Sequence, residues 1–452
     1  MRLYLLLLLY AIPFLSQAQL GYSSGSVSMN RAYGIYPSRA VVVEEFMNYH
    51  LHNIPLPGKG SNVALDLRWG NQKNVLGSEA ILQVGIATNK LNQNYTAPVN
   101  LSVVLDISGS MAGERLDRSK EAVIAMLKKL RPSDRLSIIT YHTRAEILLP
   151  SQLVGNDTAK IRQLVSGLQV LGSTNLHGGM MLGFIENQKF FDPKATNRVL
   201  LMTDGNANEG VTDPAQIAKD AAGYNAKGIG ISTIGLGNNV QFDLLRSLAG
   251  AGRGQHHFVD DGDDIKKVFI QEVESLISPI ARDPKLLIEY SPDLQLQNVY
   301  GYAPVLGKGT IAIDLDNFNS GLTQVILARF ATGGNEAGYV KVSLSYFDLQ
   351  KNKMEVIELQ SALQTAPGPV PVLIDKEVKK NFSIACMATS LKEALADLEK
   401  HKDPTNLKPV TILKDCLAAI DQLYPSGLDQ DQQKIREILD RQVLLLQKMA
   451  QP

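Results

Sequence analysis

Between Val99 and Ser278, short apolar runs rich in β-branched residues alternate with amphipathic stretches of helical spacing, and no other feature limits the fold so strongly. Such alternation belongs to a mostly parallel sheet with helices on both faces. Strands are predicted at Leu101–Ile107, Leu136–Tyr141, Ala145–Leu149, Val199–Thr203, Ile229–Gly235 and His256–Val259. Helices are predicted at Arg115–Leu130, Ala159–Gly167, Leu176–Gln188, Pro214–Lys227, Phe242–Gly250 and Asp264–Ser278. Pro214 occupies a first helical position, where its missing N–H does no harm, and Asp213 is placed to cap that helix. The expected fold class over residues 98–280 is α/β, a doubly wound, mostly parallel sheet.

The flanks read differently. Residues 19–97 hold short alternating segments, such as Asn62–Trp69 and Ala80–Ala87, separated by Gly, Pro and Asn. Residues 281–366 resemble them, with Leu286–Tyr290, Gln324–Phe330 and Val340–Phe347. Both patterns suit antiparallel β structure. The two stretches are expected to pair into one β-sandwich-like domain into which the α/β unit is inserted. Beyond Pro367, Pro369 and Pro371 the pattern turns helical over Ile374–Leu398, Val410–Leu423 and Asp429–Met449, so residues 367–452 are expected to form a helical C-terminal element.

At the start, Arg2 precedes an apolar run from Leu3 to Leu15 and then Ser16-Gln17-Ala18, which reads as a secretory signal removed after residue 18. The apolar run would span roughly 20 Å as a helix, short of a ~30 Å hydrocarbon core. No second run of spanning length follows, so the processed chain is expected to be periplasmic or secreted, without stable membrane insertion. Lys plus Arg number 45 and Asp plus Glu 45, leaving no basic excess to hold a nucleic acid backbone. Cys386 and Cys416, the only cysteines, can bridge in an oxidising compartment or stand as separate buried thiols.

Five residues carry the chemistry. Asp106-Ile107-Ser108-Gly109-Ser110 ends the first strand, Thr174 follows Gly172-Ser173 in a loop, and Asp204 comes just after Thr203 at the end of a later strand. In open parallel sheets ligands bind beyond the carboxyl ends of strands where strand order reverses, and the first and fourth strands of this unit would be neighbours there. The donors are hard oxygens with no thiol or imidazole among them. That favours Mg²⁺, with Mn²⁺ or Ca²⁺ as alternatives, over zinc or copper. A dication held by neutral hydroxyls, its carboxylates acting largely through water, keeps an open position that a partner's Asp or Glu can fill.

In order and strand context, Asp106-x-Ser108-x-Ser110, Thr174 and Asp204 resemble the metal-ion-dependent adhesion site of von Willebrand factor type A domains. The resemblance implies a Rossmann-like domain, direct coordination by Ser108 and Ser110, Thr174 and Asp204 direct or through water, and Asp106 hydrogen-bonded behind them. Val42-Val43-Glu44-Glu45-Phe46-Met47-Asn48-Tyr49 and Asn298-Val299-Tyr300-Gly301-Tyr302 look like segments of an exported bacterial subgroup with such flanks. Ser173 departs from the glycine often found before the threonine, and the tail after residue 370 carries no recognisable motif.

Other polar groups have plainer readings. Asp260-Asp261-Gly262-Asp263-Asp264 lacks EF-hand spacing and suits a helix cap. His256 and His257, adjacent on a strand, face opposite ways and cannot share an ion, so structural roles are expected. Asn206, Asn208 and Glu209, which follow Asp204, can shape the rim or engage a ligand, or can simply form a polar loop. Glu44 and Glu45 diverge on any regular element, and surface or capping roles are expected. The sequon Asn94-Tyr95-Thr96 points only weakly to a eukaryotic source. The function expected is non-enzymatic protein binding through the cation. The alternatives are a structural part of an envelope assembly with an auxiliary cation, or a metal-dependent hydrolase, for which no nucleophile motif is present.

Overall fold

The computed structural model describes residues 38, 41–48, 50–71, 73–74, 78–90, 98–205, 207–237, 241–259, 266, 270, 273, 279–333, 338–365, 373–401 and 406–450. The signal, the Asn94 sequon, Asn206, the acidic run Asp260–Asp264, most of the helix predicted after it, and the prolines at 367, 369 and 371 lie outside these residues.

In chain order the elements are α1 (Val43–Met47), β1 (Val63–Trp69), β2 (Lys73–Asn74), β3 (Glu79–Thr88), β4 (Val99–Asp106), α2 (Glu114–Met126), β5 (Arg135–Tyr141), β6 (Ala145–Leu153), α3 (Ala159–Ser166), α4 (Leu176–Gln188), β7 (Thr196–Thr203), α5 (Pro214–Asn225), β8 (Gly230–Leu236), α6 (Phe242–Ala251) and β9 (His256–Val259). They continue with β10 (Pro279–Tyr290), β11 (Leu294–Tyr300), β12 (Val305–Gly307), β13 (Thr310–Asp314), β14 (Phe318–Asn319), β15 (Thr323–Thr332), β16 (Gly338–Asp348), β17 (Lys353–Thr365), α7 (Lys376–His401), α8 (Lys408–Leu423) and α9 (Gln430–Met449).

The α/β unit has a six-stranded sheet of order β6-β5-β4-β7-β8-β9. All neighbours are parallel except the β5–β6 hairpin. Every residue of β4 is buried because helices cover both faces. Leu101, Val103 and Leu105 pack with Leu116, Val123, Ile161 and Val165 on one side, while Val104 packs with Phe184, Ile217 and Leu245 on the other. Asp213 caps α5 as its sequence suggested, accepting from the backbone of Ala215 and Gln216.

The flanking β segments form the expected sandwich around this insertion. β3 pairs with β15, with Leu82 opposite Ala328, which joins residues before and after the α/β unit in the sheet β1-β3-β15-β11. The facing sheet runs β12-β13-β10-β16-β17-β2. Leu82, Val84 and Ile86 of β3 enter the sandwich core with Ile288, Phe330 and Val342. The alternate residues Ile81 and Ala87 face a second core built with α7, α8 and α9. Gln83 lies buried between them and accepts a hydrogen bond from Asn381 Nδ2 at 2.9 Å. The helical element is therefore a third layer over the sandwich, which is why β3 reads as a nearly unbroken apolar run. α9 opens on a capping box in which Asp429 and Gln432 satisfy each other's backbone N–H groups.

The surface or capping roles expected for Glu44 and Glu45 are overturned, since both are buried on α1. They do diverge: Glu44 lies 3.7 Å from Arg246 of α6, and Glu45 lies 3.7 Å from His256 of β9. Burial raises the Glu44 carboxyl above its ordinary value against the pull of Arg246. Partners some 200 residues downstream, on another domain, are invisible to local pattern. Arg253 and Asp283 form a further ion pair between the α/β unit and the sandwich. His257 is buried, like His256. Cys386 on α7 and Cys416 on α8 are both buried and free, and burial pushes the Cys416 thiol up to about 11.

The segments 42–48 and 298–302 meet. Gly301 has φ +78°, and a Cβ on it would fall 2.6 Å from the Glu44 nitrogen. Asn48 clasps β15 by accepting from the Val325 N–H at 2.7 Å. We expect Gly301→Ala to lower stability by roughly 1–3 kcal/mol through left-handed strain and backbone clash, read as a shift in the urea unfolding midpoint at unchanged slope.

Next to this wedge, the His50 and His52 rings lie 4.6 Å apart and His52 Nδ1 lies 3.5 Å from Glu377. Burial, with His52 and Lys380 close by, holds His50 down at about 4, and burial also lowers His52 against the pull of Glu377. The hydrogen bond to His52 holds Glu377 at about 2. An imidazole that resists protonation only when folded destabilises the fold as pH drops from its ordinary 6.5 toward 4, while the Glu377 contribution is lost from 4.5 toward 2. Stability should fall by roughly 1–3 kcal/mol between pH 7 and 4, and His50→Gln should flatten part of that slope in the same denaturation assay.

Candidate metal centre

Parallel pairing of β4 with β7, with Leu105 opposite Met202, delivers Asp106 and Asp204 side by side at the carboxyl edge of the sheet. These are the first and fourth strands of the unit, the neighbours that the sequence required. Asp106 accepts from the Ser108 backbone N–H at 2.8 Å on one oxygen and from Thr203 Oγ1 at 2.6 Å on the other. Its carboxylate is thus fixed behind the loop. Burial raises it above its ordinary value, and these two donors pull it back.

In front of it, the Ser108 and Ser110 hydroxyls are 3.1 Å apart, and Ser110 Oγ donates to Asp204 Oδ1 at 2.7 Å. The Thr174 loop is stitched to the first by Gly109 N–H to Gly172 O at 3.1 Å and Leu171 N–H to Ile107 O at 2.7 Å. A Cβ on Gly205 would sit 3.3 Å from Ser110 Oγ and 3.5 Å from Thr174 Oγ1, so both hydroxyls converge on one cradle that this glycine leaves open. All five predicted residues are brought together. Asp106, Ser108, Thr174 and Asp204 are buried, whereas Ser110 is exposed at the mouth.

The donor set suits a hard divalent cation: every donor is oxygen, the carboxylates are two, and among the described residues no trio of His, Cys, Asp or Glu offers another metal cage. Residues 100–271 match the family model described as von Willebrand factor type A domain. The chain carries a von Willebrand factor type A domain.

Over 270 residues the chain is 30% identical to Uncharacterized protein YfbK of Escherichia coli (strain K12), covering 57% of this chain and 46% of the relative. It is 27% identical over 250 residues to Uncharacterized protein sll0103 of Synechocystis, covering 55% and 58%. The chain thus spans about half the length of these relatives. A solved structure, von Willebrand factor type A from Catenulispora acidiphila, aligns with a TM-score of 0.60 at 16% identity over 84% of this chain and 96% of that one, a likeness of fold alone. A domains commonly bind a divalent cation at an adhesion site and serve as non-enzymatic modules of protein–protein interaction. No described helix is long and apolar enough to cross a membrane.

Two neighbours of the A-domain site, Thr203 and Arg115, escaped sequence reasoning, and a third, Asn208, reads from sequence only as one of the polar loop residues that could shape the rim. Thr203 orients Asp106 from the last position of β7. Asn208 clamps Thr174, accepting from its N–H at 2.8 Å and donating its own N–H to Thr174 O at 3.1 Å. Arg115, in the first turn of α2, pairs with Asp204 Oδ2 at 2.6 Å. The available signal was proximity, since a helix that follows a strand-end loop at once returns its first turn to that loop. Glu209 is exposed, like Asn208.

Gly205 has no positive φ, so a larger residue fits its backbone while filling the cradle. Gly205→Val should keep the far-UV dichroism and unfolding midpoint within roughly 1 kcal/mol, yet abolish Mg²⁺ uptake in calorimetry. Unchanged uptake would separate the cradle from cation binding.

Proposed function

We propose that this chain is an exported binding module whose A domain captures an Asp or Glu carboxylate of a partner protein through a divalent cation, Mg²⁺ first. The observation that carries the reading is the convergence of Ser110 and Thr174 on the Gly205 cradle, with Ser108 and Asp204 beside them and Asp106 locked behind. Ser108, Ser110 and Thr174 would hold the cation as neutral ligands. Asp204, already hydrogen-bonded to Ser110, and Asp106, with both oxygens engaged by Ser108 and Thr203, would share its charge at second hand. A divalent ion bound there supplies a positive centre with a position open to an incoming carboxylate.

The exposed side of the cradle is at Ser110, so a partner's side chain approaches without displacing any buried group. Export is part of the proposal and rests on the basic, apolar and small-residue order of the first 18 residues.

Titration of the full chain with Mg²⁺ and then with a blocked peptide carrying one glutamate should give saturable uptake of both, with no peptide uptake in EDTA and none of the glutamine counterpart. The double variant Ser110→Ala/Thr174→Ala should weaken Mg²⁺ binding by tenfold or more, about 1.4 kcal/mol, without loss of the fold. Absence of cation uptake by the folded wild type would end this reading.

A further inference from the structure

The Arg115 guanidinium lies at the rim of the candidate metal centre. Its Nη1 reaches Asp204 Oδ2 at 2.6 Å and the Ser110 carbonyl at 3.3 Å. Asp204 is fully buried as a side chain, while Arg115 is 43% exposed. One carboxylate therefore separates the guanidinium from the Ser110 hydroxyl, and its outer side faces solvent. Behind it, Gly237 with φ +77° would place a Cβ 3.0 Å from Nη2, so the turn after β8 is kept bare where the guanidinium passes.

The electrostatic consequence is specific. With both carboxylates ionised, Asp106 and Asp204 alone would neutralise a dication completely, and a neutral site has little reason to prefer a charged ligand over an amide. Arg115 cancels one of those charges, so the loaded site keeps one net positive charge. A guanidinium also offers several donors in a planar fork that matches a carboxylate, and Asp204 and Ser110 engage it through Nη1.

We propose that Arg115 is a specificity-determining residue of this site: held on Asp204 at the rim, it supplies the second positive group that a partner's carboxylate meets and selects Asp or Glu over neutral oxygen ligands. This rests on the cation-binding reading above. It predicts opposite effects on the two binding steps, because Arg115 competes with a cation for the charge of Asp204 while attracting the anion that follows.

The test uses the full chain, calorimetric titration with Mg²⁺ alone, and then titration of the Mg²⁺-loaded chain with the blocked glutamate peptide. In Arg115→Gln, Mg²⁺ affinity should hold or rise a few-fold and peptide affinity should fall by about tenfold. Arg115→Lys, which keeps the charge and loses the fork, should recover part of the peptide affinity; a lysine variant no better than the glutamine variant overturns the proposal. So does a glutamine variant whose peptide affinity equals wild type, or one in which cation and peptide affinity drop in step, the mark of a residue that merely positions Asp204. Folding of both variants is checked by thermal unfolding. Failure of the wild type to take up Mg²⁺ would instead count against the cation-binding reading itself.

Discussion

The parallel ladder between β4 and β7 is the constraint on which the rest depends. Asp106 and Asp204 are 98 positions apart in sequence, and only strands that are both adjacent and parallel can deliver their carboxyl ends to one point. Each of those strands is buried on both faces, so any slip in register would force Asp106 or Thr203 out of its bond and expose apolar residues to water. The Thr174 loop contributes its hydroxyl only because Leu171 and Gly172 are already bonded to the Asp106 loop.

Much of this was legible in the sequence. Alternation of β-branched runs and amphipathic stretches located the elements of the A domain, since burial on both faces leaves few alternatives for such segments. The five oxygen donors were recognisable because they lie where strands finish or in the loops beyond, which converge at the carboxyl edge of a parallel sheet. Arg115 and Thr203 were not, because arginine in a first helical turn and threonine at a strand end are unremarkable individually, and Asn208 reads only as one of three polar residues that could shape the rim. Their roles come from partners that only tertiary structure supplies.

The flanks were harder to read for a related reason. β17, with Glu355 and Glu358 among apolar residues, gives no clean alternation, and it went unpredicted. Glu44 and Glu45 were taken for surface residues because local pattern weighs a glutamate as solvated, whereas these two enter an interface and find Arg246 and His256 there. The buried pairing of Glu44 with Arg246 contributes little net stability, but removing one partner leaves the other unmatched, so it serves better to fix the docking of two domains than to strengthen it. The helical element was identified as helical, yet its place as a third layer over β3 and β15 followed only once both faces of those strands were seen to be covered.

The anchoring contacts also decide which way the site faces. In a parallel sheet all carboxyl ends lie on one edge and all amino ends on the other. Asp106 and Asp204 lie at the carboxyl edge. His256, which meets Glu45, is the first residue of β9, Arg253 lies just before it, and the chain enters the domain at the start of β4. The sandwich therefore grips the A domain by the amino edge of its sheet. The two edges of the sheet do different work, one joined to the sandwich near the start of β9 and the other carrying the candidate metal centre. Ser110 thus lies at the edge opposite the one joined to the sandwich, the side from which the proposed partner carboxylate would approach.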